Sequence, residues 1–266
     1  MIDSFGRKIN YLRISVTDRC NLRCRYCMPE DGIELLRHND IMSFEEIIEV
    51  TETAVAMGIT KVKLTGGEPL VRRGILKLVK AIAAIKGIED FGMTTNGILL
   101  SQYAQALADA GLMRVNVSLD TVDEIRYRWL TRCGRLGEVF RGIEAAKKVG
   151  LNPIKLNCVV GQFSADTDVQ DVKEFGNSNG LQVRVIKQMC FQTGCFSIVE
   201  GGNGGDCLNC NRLRLSSDGF IRPCLFSDIS FSVRESGPKH ALELAVARKP
   251  RAGGPCSHNL MQRIGG

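Results

Sequence analysis

Six short β-like runs alternate with helical patterns over the first two-thirds of this 266-residue chain, and that alternation limits the fold more than any other feature. The runs lie near 10–16, 60–65, 90–94, 113–119, 153–160 and 182–187. They are rich in β-branched residues and read as apolar on both faces, as strands covered on two sides are. Helical periodicity fills 73–86, 101–110, 137–149 and 166–179. Ser43 with Glu46 makes a capping box before IIEVTETAVAM. Six β/α units in series predict an α/β fold with right-handed crossovers and a parallel sheet, curved into a partial or full barrel. Active sites in such folds gather at the C-terminal ends of the strands.

Cys20, Cys24 and Cys27, spaced CxxxCxxC, follow the first run and stand at that end. Structural metal sites close with four ligands. Three thiolates can instead hold three irons of a 4Fe–4S cube and leave the fourth open to bind a small molecule and pass it an electron. A zinc knuckle or incidental buried cysteines are the alternatives. Cys207, Cys210 and Cys224 form a second trio, CxxC and then a third cysteine, again without a fourth ligand. Cys256 and His258 could close it as a zinc ribbon, though neither lies at a standard spacing. Cys133, Cys158, Cys190 and Cys195 make no tight pattern and read mostly as buried apolar fillers.

The start, MIDSFGRKINYL, has no signal-peptide core, and no apolar stretch reaches the roughly 18 residues of a membrane span. Eleven cysteines in such a chain argue for reduced thiols, metal and the cytosol. A net charge of +6, with Lys and Arg beside glycine and cysteine motifs, suits a polyanionic small molecule better than nucleic acid. At 6% aromatic residues there is no basic aromatic stripe of the nucleic-acid-binding kind.

Small polar motifs end the middle strands. Gly66-Gly67-Glu68-Pro69 follows the second run, where glycines permit close backbone approach and Glu68 offers an acceptor to a cationic amine. Thr94-Thr95-Asn96-Gly97 ends the third run and Ser118-Leu119-Asp120 the fourth. After residue 189 the segment MCFQTGCFSIVEGGNGGDC is Gly-rich and reads as a linker. RLRLSSDGFIRPCLF then suggests a hairpin turning at Asp218-Gly219, with Arg212 and Arg214 on one face of its first strand. A helix near 238–248 and a loose end complete the chain, which divides at 1–189 and 190–266.

These motifs resemble the radical S-adenosylmethionine (SAM) superfamily. LRISVTDRCNLRCRYCMPEDG, KLTGGEPLVRR, TTNG, VNVSLD, CNRLRLSSDGFIRPCLFSD and Gly265-Gly266 together resemble its GTP 3′,8-cyclase (molybdenum cofactor biosynthesis protein A) family. The resemblance implies a partial (β/α)6-type barrel with a small C-terminal cluster-binding region. It implies that Cys20, Cys24 and Cys27 hold a 4Fe–4S cluster whose open iron chelates SAM. Tyr26, Gly67, Glu68, Ser118 and Met189 would contact SAM. Cys207, Cys210 and Cys224 would hold a second 4Fe–4S cluster that meets guanine. Arg13, Lys63, Thr94, Lys155, Arg212, Leu213 and Arg214 would bind GTP, with Lys61 and Arg184 weaker candidates. Arg13, Arg212, Arg214, Gly265 and Gly266 would serve catalysis, the tail meeting Arg13. The implied chemistry is abstraction of the ribose C3′ hydrogen and closure onto guanine C8. Implied partners are an electron donor such as flavodoxin or ferredoxin and the next enzyme of molybdopterin synthesis. No membrane or nucleic acid is expected, and a homodimer is left open.

The chain departs from the family in four places, one of them a short stretch after Cys224. Lys63 stands where many members carry Arg, which keeps the charge and loses the bidentate fork. Lys187 replaces an acid. Only 17 residues separate Met189 from Cys207, where the family usually has several dozen. A peptide- or metabolite-modifying two-cluster maturase, and a degenerate cluster-binding paralogue without turnover, are the competing readings.

Overall fold

The computed structural model describes residues 1–257 and 261–265. Six parallel strands form its centre: β1 (Tyr11–Ser15), β2 (Lys61–Thr65), β3 (Asp90–Thr95), β4 (Arg114–Ser118), β5 (Lys155–Val160) and β6 (Gln182–Lys187). Helices α1 (Phe44–Ala56), α2 (Ile75–Ala83), α3 (Leu100–Asp109), α4 (Glu124–Thr131), α5 (Leu136–Lys148) and α6 (Asp168–Ser178) lie between them. The chain then adds β7 (Arg212–Leu215), β8 (Phe220–Arg222), β9 (Phe231–Ser232), α7 (Val233–Ser236), α8 (Pro238–Ala247) and α9 (Met261–Ile264).

One sheet holds every strand, in the order β6-β5-β4-β3-β2-β1-β7-β8-β9. β7 runs parallel to β1 with Arg214 opposite Arg13, while β8 and β9 return antiparallel. The capping box forms as expected: Ser43 Oγ accepts from the Glu46 N–H at 3.1 Å, and Glu46 accepts from the Ser43 N–H at 2.6 Å. The hairpin turns at Asp218-Gly219, where Gly219 adopts φ +87°.

The strands are not apolar on both faces. Leu12, Ile14, Val62, Leu64, Phe91, Met93, Val115, Val117, Leu156, Leu213 and Leu215 are fully buried in the main core with Ile47, Leu78, Ile82, Leu107 and Ile143 of the helices. Their alternate neighbours Tyr11, Arg13, Lys63, Thr94, Arg114, Asn116, Lys155 and Arg214 line the other face, since side chains alternate along a strand. The strict polar–apolar alternation of YLRIS, KVKLT and RVNVS carries this pattern.

The segment after β6 is not a free linker. Phe191 is buried with Leu225, Phe226, Cys256 and Ile264 in a second small core. Further on, Glu200 and Val185 of β6 exchange two backbone bonds of 3.1 Å, and the Asn203 carbonyl accepts from the Arg212 guanidinium of β7. These few residues therefore join the β6 edge to β7 despite their shortness. α4 was not expected; Asp123 caps it by accepting from the Arg126 N–H at 2.7 Å. No helix is long and apolar enough to cross a membrane, among the described residues.

Candidate active site

The first cysteine trio lies in a loop held by the strand-end motifs. The Gly67 N–H donates to the Thr17 carbonyl at 2.7 Å, and the Glu68 N–H to that of Arg19 at 2.8 Å. A Cβ on Gly67 would stand 2.3 Å from the Arg19 oxygen, and one on Gly66 2.6 Å from that of Thr17. The close approach these glycines permit is thus to the backbone leading into Cys20. Glu68 is fully buried. Its carboxylate accepts from Thr95 Oγ1 at 2.7 Å, the Leu70 N–H at 3.1 Å and the Asn96 N–H at 2.6 Å. Most of its accepting capacity is therefore occupied from within the chain. Burial pushes Glu68 up to about 7, against the pull of those donors. Asn96 in turn donates to Asn21 Oδ1 at 2.7 Å and to Cys20 Sγ at 3.8 Å. Asp120 closes the other side: it accepts from Tyr26 Oη at 2.8 Å and from the Val159 N–H at 2.7 Å. Burial raises Asp120 to about 6.

All three thiols are reduced and partly buried. Burial pushes Cys20 up to about 11 and Cys24 well above its ordinary value, with Cys27 adding to both. Among the described residues no three His, Cys, Asp or Glu side chains close around a single metal ion. The donor chemistry is that of an iron–sulfur ligand set: three reduced sulfurs in a partly dry site, where a cationic group would displace the thiol protons.

The polar face of the sheet continues from this loop as a cationic floor. Arg13, Lys63, Gly92 and Arg114 lie in register across β1 to β4, with Arg214 beside Arg13; Asn116 pairs with Lys155 and Asn157 with Arg184. Lys63 Nζ donates to Asn116 Oδ1 at 2.7 Å. Arg114 grips Asp90 with two bonds of 2.5 and 2.9 Å. Burial lowers Lys63 well below its ordinary value, and Arg13, Arg114 and Arg184 add to that. Burial followed by Arg13 and Arg212 pushes Arg214 down to about 9. Groups that depress one another in this way favour an added anion, with Asp90 the one acid that pulls Lys63 the other way. Thr94 Oγ1, Arg184 Nε and Arg212 Nε are buried with no hydrogen-bond partner among the described residues.

A pocket joins this floor to the second trio. Arg13, Met189, Arg212 and Arg214 line it together with Cys207, Cys210 and Cys224. Lys249, 3% exposed, donates to the Arg212 carbonyl at 2.7 Å and the Pro223 carbonyl at 2.6 Å. Burial pushes the Cys210 thiol up, but Lys249 and Arg212 outweigh it and leave it below its ordinary value. Arg7 ties the loop from behind, donating to the carbonyls of Cys207, Pro250 and Arg251 at 2.6, 2.7 and 3.0 Å. Gly265 enters the floor, where its carbonyl accepts from Arg214. Its φ is +75°, and a Cβ there would meet Thr65 Cγ2 at 2.2 Å.

The structure thus brings together Arg13, Lys63, Thr94, Lys155, Arg184, Arg212 and Arg214, with Tyr26, Gly67 and Ser118 at the rim. Three expectations change, and one falls partly outside the described residues. Leu213 offers the floor only its backbone, because its side chain is fully buried in the main core. The Gly265 carbonyl accepts from Arg214 and its N–H donates to the Met261 carbonyl at 2.8 Å; the expected meeting of the tail with Arg13 turns on Gly266, which with His258 lies outside the described residues. Cys133 and Cys195 are exposed and Cys190 is partly so, leaving Cys158 as the buried filler of that set. Lys61 pairs with Asp90 at the entry of the strands, one step back from Lys63. Strand alternation from Arg13 would have found Arg114, Asn116 and Asn157. No sequence signal marked Lys249 or Arg7.

The sequence profile described as the radical SAM superfamily matches residues 14–176. A protein named GTP 3′,8-cyclase from Thermodesulfovibrio yellowstonii is 41% identical over 281 positions, covering 88% of this chain and 87% of its own. One of the same name from Petrotoga mobilis is 38% identical and covers 98% and 95%. Its alignment runs over 314 positions, more than the 266 residues here, so part of the relative faces a gap in this chain. Among solved structures, SuiB of Streptococcus suis bound to S-adenosylmethionine superposes with a TM-score of 0.65 at 14% identity. The superposition covers 91% of this chain and 64% of SuiB. anSMEcpe bound to AdoMet and a Cp18Cys peptide gives 0.58 at 17%, covering 89% and 83%. At these identities the two structures share a fold with this chain.

Proposed function

Because the chain belongs to the radical SAM superfamily and, within it, to the GTP 3′,8-cyclase family, we propose that it cyclises GTP to (8S)-3′,8-cyclo-7,8-dihydroguanosine 5′-triphosphate, an early step of molybdenum cofactor synthesis. The carrying observation is the buried cationic floor between two cysteine trios, whose cations depress one another. A triphosphate supplies the missing negative charge in a form arginine forks can grip.

Cys20, Cys24 and Cys27 would hold a 4Fe–4S cluster, and Cys207, Cys210 and Cys224 a second one. With SAM bound, the first would supply the carbon radical that takes a hydrogen atom from the ribose. The protein supplies the rest. Tyr26, Gly67, Ser118 and Met189 place SAM, Tyr26 being braced by Asp120. Glu68 fixes the Thr95–Asn96 rim against the cysteine loop. Arg13, Lys63, Lys155, Arg212 and Arg214 seat the phosphates, and Thr94 offers a free hydroxyl. The Gly265 carbonyl orients Arg214, and the buried tail keeps water from the reacting carbons. The bridge through Glu200 and Asn203 closes the side of the floor that the shortened segment would otherwise leave open. The cytosol, an acidic one-electron donor and hand-over to the next enzyme of molybdopterin synthesis complete this reading.

Anaerobic reconstitution tests it. The protein should take up about eight irons, twice the four of one cube. GTP deuterated at C3′ should pass its label to 5′-deoxyadenosine. Tightly held zinc at one trio would sink the claim for that trio. Turnover without label transfer would sink the assigned radical step.

A further inference from the structure

On the outer side of the cysteine loop lies a surface that none of the chemistry above uses. Ile125 and Trp129, one turn apart on α4, are exposed to 80% and 41%. Arginines surround them. Arg25, from between Cys24 and Cys27, lies 4.4 Å over the Trp129 ring and donates from Nε to its carbonyl at 2.9 Å. Arg128 and Arg135 are exposed and make no ion pair among the described residues. The nearby acids are Asp123, which caps α4, Glu124 at its start, Glu138, which pairs with Arg141 at 2.6 Å, and Asp168, which pairs at 2.8 Å with Arg126, itself 5.3 Å over the Trp129 ring. Positive charge is therefore in excess where α4 turns into α5.

This surface is stitched to the segment that carries the thiols. The Arg23 and Arg25 N–H groups donate to the carbonyls of Thr131 and Leu130 at 3.1 and 2.9 Å. Arg132 reaches back to the carbonyls of Arg23 and Met28 at 2.6 and 3.0 Å. It does so at φ +65°, the only non-glycine in the left-handed region among the described residues. Such a conformation persists only where its surroundings impose it. Cys133 Sγ donates to the Asn21 carbonyl at 3.4 Å. The patch is thus one hydrogen bond from the Cys20–Cys27 loop, on the side away from the substrate floor.

We infer that this patch — Arg25, Arg128, Trp129, Arg132 and Arg135 — docks an acidic one-electron carrier protein that reduces the group held by Cys20, Cys24 and Cys27. The inference rests on the proposed radical function, which needs two electrons per turnover from outside the chain, delivered one at a time: one to cleave SAM and one, with a proton, to complete the dihydro product. The carrier gives up one electron and is oxidised, the cluster is reduced, and no bond is made or broken. A basic rim speeds encounter with an acidic partner, and an exposed Trp between arginines is the composition of an interface centre. Nucleic acid would match the charge but would give no reason for the patch to be tied to the cysteine loop.

The test pairs Arg128→Glu with Arg135→Glu in the reconstituted protein, with Trp129→Ala as a second variant that leaves the charge unchanged. Binding of flavodoxin is measured directly at low and moderate salt. 5′-Deoxyadenosine formation is measured with reduced flavodoxin and, separately, with dithionite, which needs no docking surface. The charge-reversed protein should bind flavodoxin at least ten-fold more weakly and lose carrier-driven cleavage by a similar factor, while dithionite-driven cleavage holds. Trp129→Ala should weaken binding in the same direction. Parent binding should weaken as salt rises. Unchanged flavodoxin binding in both variants would overturn the inference. So would a DNA duplex that binds the parent as tightly as flavodoxin does and is lost equally. Failure of dithionite-driven cleavage in the parent would count against the radical function instead, with the binding arm still deciding the docking surface.

Discussion

Replacing Glu68 by Gln changes one oxygen to an NH2 group and tests what holds the cysteine loop in place. In the parent one carboxylate oxygen receives the Leu70 N–H and the Thr95 hydroxyl, and the other the Asn96 N–H. A Gln amide can present its oxygen to only one of the two backbone donors. In either orientation its NH2 faces the other N–H, at 2.6 or 3.1 Å, in a site 1% exposed. One buried donor is left unsatisfied and a charge-assisted bond is lost, together about 2–4 kcal/mol. For a chain of this size that lowers the Tm by about 5–15 °C. Asn96, which holds Asn21 and Cys20, is also released. Urea unfolding of the anaerobic, reconstituted protein at pH 8, above the value of about 7 at Glu68, measures the effect on the ionised group. Because Glu68 is raised in the folded chain, the parent gains on the variant as pH falls from about 7 toward the ordinary carboxylate value, so the gap is smallest at pH 8. A variant within about 0.5 kcal/mol of the parent would refute the reasoning, since surface exchanges do no more than that.

Other outcomes follow from the same contacts. Asp3 and Arg7 form a buried pair at 2.6 Å, and Arg7 keeps Asp3 below its ordinary value against the opposing effect of burial. Asp3→Asn should cost about 3–5 kcal/mol above roughly pH 4, with the loss fading as acid protonates the parent's Asp3; a pH-independent gap in thermal unfolding would contradict this. Gly265→Ala should hinder cyclisation more than SAM cleavage, and Thr65→Ser, which removes the clashing methyl, should restore part of it; no recovery in the double variant would show that the clash is not the cause. Arg214→Ala should cost on the order of 2–5 kcal/mol of GTP binding in calorimetry while the iron content holds. Lys249→Met should leave two buried carbonyls without a donor and lower the iron bound at the second trio, read by iron analysis against a Cys210→Ala control.

Much of the fold was legible because its rules are local. Each of the six parallel strands falls within two residues of its expected span at either end. The Ser43 box and the Asp218-Gly219 turn depend on neighbours in sequence. The partner of β7 did not show, because pairing Arg214 with Arg13 joins residues some two hundred positions apart. The polar floor was legible in principle: YLRIS and KVKLT alternate strictly, but their β-branched content suggested strands covered on both faces. At the candidate site, the cysteine trios stand out by spacing alone. Lys249 and Arg7 did not, since each acts on carbonyls brought close only by the finished fold. The segment after β6 looked like a linker because glycines hide its packing: a Cβ on Gly201 would meet the Val183 carbonyl oxygen at 2.5 Å.

The place of β7 beside β1 also sets an order of events during synthesis. Strand β1 leaves the ribosome some two hundred residues ahead of β7, and one of its two hydrogen-bonding edges stays bare until Arg212–Leu215 has followed. Over that interval the nascent sheet carries an open margin, the kind of edge that recruits foreign strands. Tyr11 and Arg13 put a hydroxyl and a charge along that margin. Arg13, proposed above as a phosphate contact, thus also serves as a guard while the chain is incomplete, and changes that strip its charge should lower soluble yield before they touch any reaction.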